Sequence, residues 1–396
     1  MTRRSGSSGS RADDRILVLN AGSSTLKASL LRPGEPRALG ATTREWGGSA
    51  VERAPGVTAA ILADLGLADG IGLTGIGHRI VHGGPNLVLP TVVDAGVLAE
   101  LRQVAAMAPL QTPPALAVIT ALAELLPGIR QIVCFDTAFH ARLPEVARRY
   151  PVPPAWTRDF GIRRYGFHGL SVDWATGRAS ELLASSPSRV RLVVAHLGAG
   201  SSVTAVDRGR SVDTSMGYTP LEGLMMATRS GSIDPGIVIA LVRDGLRTLE
   251  EVDDDLLHHA GLLGVGGSGD MRTLVARARD GDADARLAIQ MFVDRAAAAI
   301  AAAATRLPDL DAVVFTGGIG EGAATVRAAI VRRLGSLGIA PVSARRREGD
   351  VVLSAPGAKP AVVRVEARED LVIAGAVVAL DPGRGRASAM SGSIPR

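Results

Sequence analysis

The sequence predicts an α/β protein built from two related lobes. Three observations carry this. Apolar runs of strand length alternate with stretches of helical periodicity along most of the 396 residues. A strand, glycine turn and returning strand at 16–31 (ILVLNAGSSTLKASLL) recurs at 192–206 (LVVAHLGAGSSVTAV), and the AGSS of 21–24 is repeated letter for letter at 199–202. That spacing is too wide for a solenoid and suits a duplicated lobe. Finally, polar residues cluster where apolar strands end, the place α/β folds keep for chemistry.

Taken in order, 16–31 reads as two strands around the turn 20–24, and 77–84 (GHRIVHGG) as a strand ending in Gly-Gly. Residues 115–126 read as a helix, and 132–135 as a strand ending at Asp136. The proline-rich 150–156 (YPVPPAW) reads as a domain joint, and 185–188 as a surface loop. From His196 to Pro235 the apolar pattern is broken by Asp213, Thr214, Ser215, Thr219, Glu222, Thr228, Arg229, Ser230 and Asp234, so a long site-building loop is expected. Helices follow at 235–244 and 283–306, a strand at 312–315, a helix at 323–334, a strand at 361–365 and a closing helix at 369–380. The expected division is a first lobe of 15–137 with 371–385, a second of 138–370, and disordered tails at 1–14 and 386–396.

Composition excludes several classes. At 46% hydrophobic residues the chain can bury a large core. One cysteine, Cys134, rules out disulfides and thiolate zinc sites and is expected in the core. The polar start (MTRRSGSSGSRADDR) lacks the apolar stretch of a signal peptide or anchor. The alanine run 296–304, flanked by Arg295 and Arg306, is too short for a bilayer, so no membrane association and a cytoplasmic location are expected. The net charge of +5 comes from arginines scattered among acids, with one tight cluster at 345–347, and aromatics make up only 3%; nucleic acid is not an expected partner.

Lys27 and Lys359 are the only lysines, and no Gly-Lys pair exists, which excludes a Walker A loop. Three glycine-rich turns, at 20–24, 196–202 and 316–322, instead follow apolar strands. Their backbone N–H groups can bind phosphate without lysine, as expected for a nucleotide held between two lobes. Gly318 to Ala323 also fits GxGxxA, yet the acid that would hold a ribose about 20 residues on is missing. Phosphoryl transfer needs positive charge around the moving group and carboxylates for magnesium. Arg79, Arg229, Asp136 and Glu369 are the candidates beside the turns.

The segments LVLNAGSSTLK, GHRIVHGG, FDTAFH, RRYGFHG, AHLGAGSS, SVDTSMGYTPLEGLMMATRSGSIDPG, VFTGGIGE and EDLVIA resemble, in order, the motifs of acetate kinases across 16–374. The resemblance implies the two-lobed fold of the actin, sugar-kinase and heat-shock-ATPase superfamily, with the nucleotide in the cleft between the lobes. It implies a homodimer that transfers the ATP γ-phosphoryl in line and reversibly to acetate, giving acetyl phosphate and ADP with Mg2+ or Mn2+; propionate is the alternative substrate. By position, Arg79 and Arg229 resemble the clamping arginines, Asp136 the catalytic aspartate, and His168 the histidine that, with Arg229, stabilises the transition state. Asn20 and Glu369 resemble the metal-side residues, and Val81, Leu110, Phe167 and Pro220 the pocket around the substrate methyl. Ser23, Thr25 and Lys27 resemble the first phosphate turn, and His196, Leu197, Gly198, Ala199 and Gly200 the second. Asp270, Met271 and Arg272, with Gly318, Ile319, Gly320 and Glu321, resemble the adenosine side. Four positions depart from the family pattern: Gln111 in APLQTP, Ala199 in HLGAG, Val172 in GLSV and Gly322 in GEG. Each removes a polar side chain expected near the phosphate path. Two other readings, an actin-like or chaperone-like ATPase and a nicotinamide-dependent oxidoreductase resting on GxGxxA, have less in the sequence behind them.

Overall fold

The computed structural model describes residues 14–22 and 24–381. The expected tails, apart from Asp14, lie outside the described residues, as do Ser23 and 382–385. The chain forms two compact units, one from residues up to Ala138 together with those from Arg368 onward, the other Phe139–Ala367.

The first unit holds a six-stranded sheet of β1 (Arg15–Ala21), β2 (Thr25–Leu31), β3 (Gly40–Glu45), β4 (Leu73–Ile80), β5 (Thr91–Val92) and β6 (Gln131–Phe135), ordered β3-β2-β1-β4-β6-β5. The second holds β7 (Arg191–Leu197), β8 (Ser201–Asp207), β9 (Arg210–Thr214), β10 (Ala312–Thr316), β11 (Val351–Val352) and β12 (Ala361–Arg364), ordered β11-β12-β10-β7-β8-β9. Strand for strand the pairings agree. β1 to β3, and β7 to β9, form antiparallel meanders; β1, β4 and β6, like β7, β10 and β12, run parallel; β5 and β11 close the edge antiparallel. The repeated AGSS lies at the first strand connection of each sheet, but out of phase: Ala21 ends β1 in one, whereas Ser201 and Ser202 begin β8 in the other.

Parallel strands are buried on both faces, and β7 shows why its sequence is apolar throughout. Val193, Ala195 and Leu197 enter one core with helix Ala283–Ala304, while Leu192 and Val194 enter another with Val172, Ala175 and Ala179 of helix Gly169–Leu182. The alanine run proves to be the end of a 22-residue helix, long and apolar enough on length and composition to cross a membrane. The length argument drawn from 296–304 therefore does not hold. What marks it as a core helix is its packing: Ala288, Phe292, Ala296, Ile300 and Ala303 form one buried stripe in the second unit's core.

In the first unit, helix Glu369–Ala379 lies directly on β4 because Gly75 and Gly77 carry no side chain. A Cβ there would stand 2.6 Å from Val377 and 2.3 Å from Ile373. This contact puts Arg368 to Asp370 in the first unit, three residues earlier than the expected boundary, and with them Glu369. The proline-rich 150–156 is no joint. It lies inside the second unit, where the Tyr150 hydroxyl donates to Glu222 and accepts the Tyr218 N–H at 2.9 Å. The expected long loop is partly regular as well, since 201–214 form the β8–β9 hairpin and only 215–234 run irregularly.

Candidate active site

Neighbouring parallel strands deliver the first set of charges. β1 pairs Asn20 with Arg79 of β4, and β4 pairs Ile80 with Phe135 of β6. The Asp136 N–H then donates to Ile80 O at 2.9 Å, so Asn20, Arg79 and Asp136 gather where the strands end. Arg79 grips Asp136 through both branches of its fork, Nε to Oδ1 at 3.0 Å and Nη2 to Oδ2 at 2.5 Å. Its Nη1 lies 3.4 Å from Asn20 Oδ1, and its Nε 3.3 Å from Glu369 Oε2. Burial opposes the Arg79 charge, but the charges of Asp136 and Glu369 outweigh it and hold the pKa above the ordinary arginine value. Beside this cluster a cavity of about 250 Å³ is lined by Asn20, Gly22, Ser24, Thr25, Lys27 and Arg79. Lys27 and Thr25 thus share a cavity with Asn20 and Arg79. Val81, half-buried after β4, and the exposed Leu110 belong to this unit; Phe167 and Pro220 belong to the other.

The second unit assembles its own set. His168 holds a left-handed backbone (φ 59°), uncommon for a residue with a side chain and frequent at functional positions. Its Nδ1 is 3.0 Å from Ser202 Oγ, its ring stacks on His196 at 4.2 Å between centroids, and His196 Nδ1 is 2.8 Å from Ser171 Oγ. Gly200 fits against this pair: a Cβ there would sit 3.1 Å from His168 Nε2 and 3.8 Å from Arg229 Nη1. Arg229 Nη1 in turn donates to Pro220 O at 2.9 Å. The second and third glycine segments adjoin, because β7 and β10 pair His196 with Thr316. Gly317, at φ 78°, fits where a Cβ would meet Leu197 O at 2.8 Å.

The third segment differs from expectation. Gly317–Gly322 is a short helix rather than a turn, and the buried Arg327 holds it from behind, donating to Gly320 O and Glu321 O at 2.7 Å each. Burial pulls Arg327 down to about 10. The Glu321 carboxylate accepts the Ala367 N–H at 2.9 Å, a structural use where nucleotide contact was expected. On the adenosine side, Asp270 caps helix Met271–Arg279 and pairs with Arg272 at 3.2 Å. A cavity of about 280 Å³ there is lined by Met271, Arg272, Gly322, Ala323, Thr325 and Arg346. Ile319 is half-buried and packs against the second unit's core.

A family model described as the acetokinase family matches residues 57–375. The chain belongs to the acetokinase family. It is 42% identical to an acetate kinase of Deinococcus radiodurans over 94% of this chain and 99% of that one, and 40% identical to one from Streptomyces coelicolor over 92% and 97%. Among solved structures, Porphyromonas gingivalis acetate kinase superposes with a TM-score of 0.82 at 31% identity, covering 91% of this chain and 98% of that one. A propionate kinase from Francisella tularensis gives 0.81 at 32% identity, over 92% and 98%. The two-lobed fold class expected from the sequence is thereby shown.

Within this acetokinase the four departures prove unequal. Val172 is fully buried in an apolar cluster with Leu192, Val194 and Val314, so this position belongs to the core and not to the phosphate path. Ala199 and Gly322 are exposed, and Gln111 is half-buried at the start of helix Thr112–Leu125. His140 went unread as a site residue. Fully buried, it donates from Nε2 to Phe167 O at 2.9 Å while Nδ1 sits 2.8 Å from Ser211 Oγ, which fixes the backbone just before His168. Arg164, whose Nη1 lies near the Thr214, Ser215 and Met216 carbonyls and whose Nη2 meets Glu222 at 2.8 Å, anchors the loop start; nothing marks it among so many arginines.

Proposed function

We propose that this chain is an acetate kinase, transferring the ATP γ-phosphoryl reversibly and in line to acetate to give acetyl phosphate and ADP. The observation that carries the reading is the convergence of His168, Gly200 and Arg229: a ring nitrogen, a side-chain-free backbone and a guanidinium around one spot, the equipment for a phosphoryl group in motion. With His168 Nδ1 engaged by Ser202, Nε2 faces that spot. The 198–200 backbone and the Gly317–Gly322 helix supply phosphate contacts, and the cavity by Met271 and Arg272 takes the adenosine.

In the first unit Arg79 orients the substrate carboxylate, and its bidentate hold on Asp136 fixes the plane of the fork. The donor set fits Mg2+: Asn20 and Glu369 offer one amide and one carboxylate oxygen flanking Arg79, and magnesium characteristically takes few protein ligands beside waters and substrate phosphates. Bound there, the ion would neutralise phosphate charge. Val81, Leu110, Phe167 and Pro220 are the candidates for the methyl pocket. Propionate competes with acetate because one methylene in an apolar pocket changes binding by only about 1 to 3 kcal/mol.

A homodimer is part of the proposal. Helix Pro235–Arg243 buries no residue, and Ile237, Ile239 and Val242 are exposed along with Ile233, Leu246 and Leu249. A second copy is the occupant proposed for this apolar surface. A cytoplasmic location, with ATP at hand, suits the chemistry and the lone thiol of Cys134. The reverse reaction tests the reading: purified protein with acetyl phosphate, ADP and magnesium should produce ATP, and comparing acetyl with propionyl phosphate ranks the substrates. No ATP from either acyl phosphate would refute it.

A further inference from the structure

The loop that carries Arg229 is held by a segment outside the motifs. Asp255–His259 (DLLHH) forms one turn of π-helix between helices Leu249–Asp254 and Gly261–Gly266. Such turns are rare and release backbone groups from the α-helical ladder. In an α-helix Leu256 O would accept from the Ala260 N–H. Here that N–H donates to Thr228 O at 3.0 Å, and Leu256 O accepts instead from the Ser230 N–H at 3.1 Å. The Thr228 hydroxyl donates to Leu257 O at 2.9 Å. The N–H groups of Leu262 and Leu263 donate to Met226 O and Ala227 O, each at 2.9 Å. Arg229 is therefore bracketed, its neighbours on both sides tied to one segment. Gly261 makes the approach possible: at φ 61° it fits where a Cβ would stand 2.3 Å from Met226 O and 2.6 Å from Arg229 O.

We infer that this π turn is a positioning element for Arg229. Thr228, the released carbonyls of Leu256 and Leu257, and Gly261 fix the Arg229 backbone, so that its guanidinium is aimed before substrate arrives. The inference rests on Arg229 acting upon the transferring phosphoryl, where small misplacements are costly.

Thr228→Val keeps the shape and deletes the hydroxyl donor, while Thr228→Ser keeps the donor. In the forward reaction Thr228→Val should lower kcat roughly ten- to a hundredfold, the range expected for a catalytic group displaced by up to about 1 Å. Its KM for ATP and its Tm should stay near wild type, and Thr228→Ser should recover most of the loss. Gly261→Ala should lose kcat in the same direction. Equal kcat in the Val and Ser variants, or a Val defect fully matched by loss of folded protein, would overturn the inference. Arg229→Ala assayed beside them separates two failures. Normal turnover there removes Arg229 from the chemistry and the inference with it; lost turnover there with wild-type turnover in Thr228→Val refutes the positioning role alone.

Discussion

Arg229 donates to Pro220 O and lies near the spot that Gly200 leaves open. Arg229→Ala should therefore leave the fold intact, with unchanged circular dichroism, and lower kcat by about three orders of magnitude, the lower end of what a cationic phosphoryl clamp contributes. Glu369 begins a helix in which it also faces Arg79 at 3.3 Å. Glu369→Gln should raise the magnesium requirement more than the acetate KM, because a hard cation prefers carboxylate oxygen; a magnesium titration matching wild type would reduce Glu369 to a helix-start acid. At position 199 the structure sharpens the expectation. The Ser201 hydroxyl is buried and faces Gly198, 3.3 Å from its carbonyl oxygen. The Ala199 side chain is exposed, with room for a longer one. Ala199→Asn should raise kcat if the added donor binds the transition state better than the ground state, and unchanged kcat with intact ATP affinity would mark the departure as neutral.

Among the elements, the buried histidines set a pH dependence. His78 on β4, 2.7 Å from Gln131 Oε1, and His140 are both pushed down to about 4 by burial, against hydrogen bonds that work the other way. The unfolded chain, titrating near 6.5, then binds more protons than the folded one between those values. Their stabilisation is complete above pH 6.5 and is lost as pH falls from there towards 4. Tm should drop over that window, and His78→Gln should flatten the slope; a slope equal to wild type would mean that His78 is not held neutral. Elements were legible from the sequence where local pattern decides them: the strand–turn–strand repeat, the strand ends at Arg79 and Asp136, and the closing helix. The π turn at 255–259, the helical form of 317–322 and the Glu369 assignment were not. The first and last depend on distant contacts, the Arg229 loop and the bare surface of β4, which a local reading of residues does not contain; the helix at 317–322 is backed by Arg327, only six and seven residues from its partners but with nothing in the pattern to mark it as buried. Val172 shows the same limit, since only packing reveals that its side chain faces the core.

For the whole molecule, Ile237→Glu combined with Ile239→Glu should convert a dimer to monomers in sedimentation, because both charges would be buried in the proposed interface without partners; a dimer of unchanged stability would move the interface elsewhere. The matching strand order of the two sheets gives each unit its own cluster at the ends of parallel strands, Asn20, Arg79 and Asp136 in one, His196, Gly200 and the Gly317–Gly322 segment in the other. The central claim is that these serve one reaction, the making of an acyl phosphate. Hydroxylamine trapping tests it most directly. Purified protein with ATP, magnesium and acetate should accumulate acetohydroxamate with ADP in equal amounts, and Arg79→Ala should abolish the signal. ADP released without hydroxamate from acetate or propionate would contradict the account and leave an ATPase in its place.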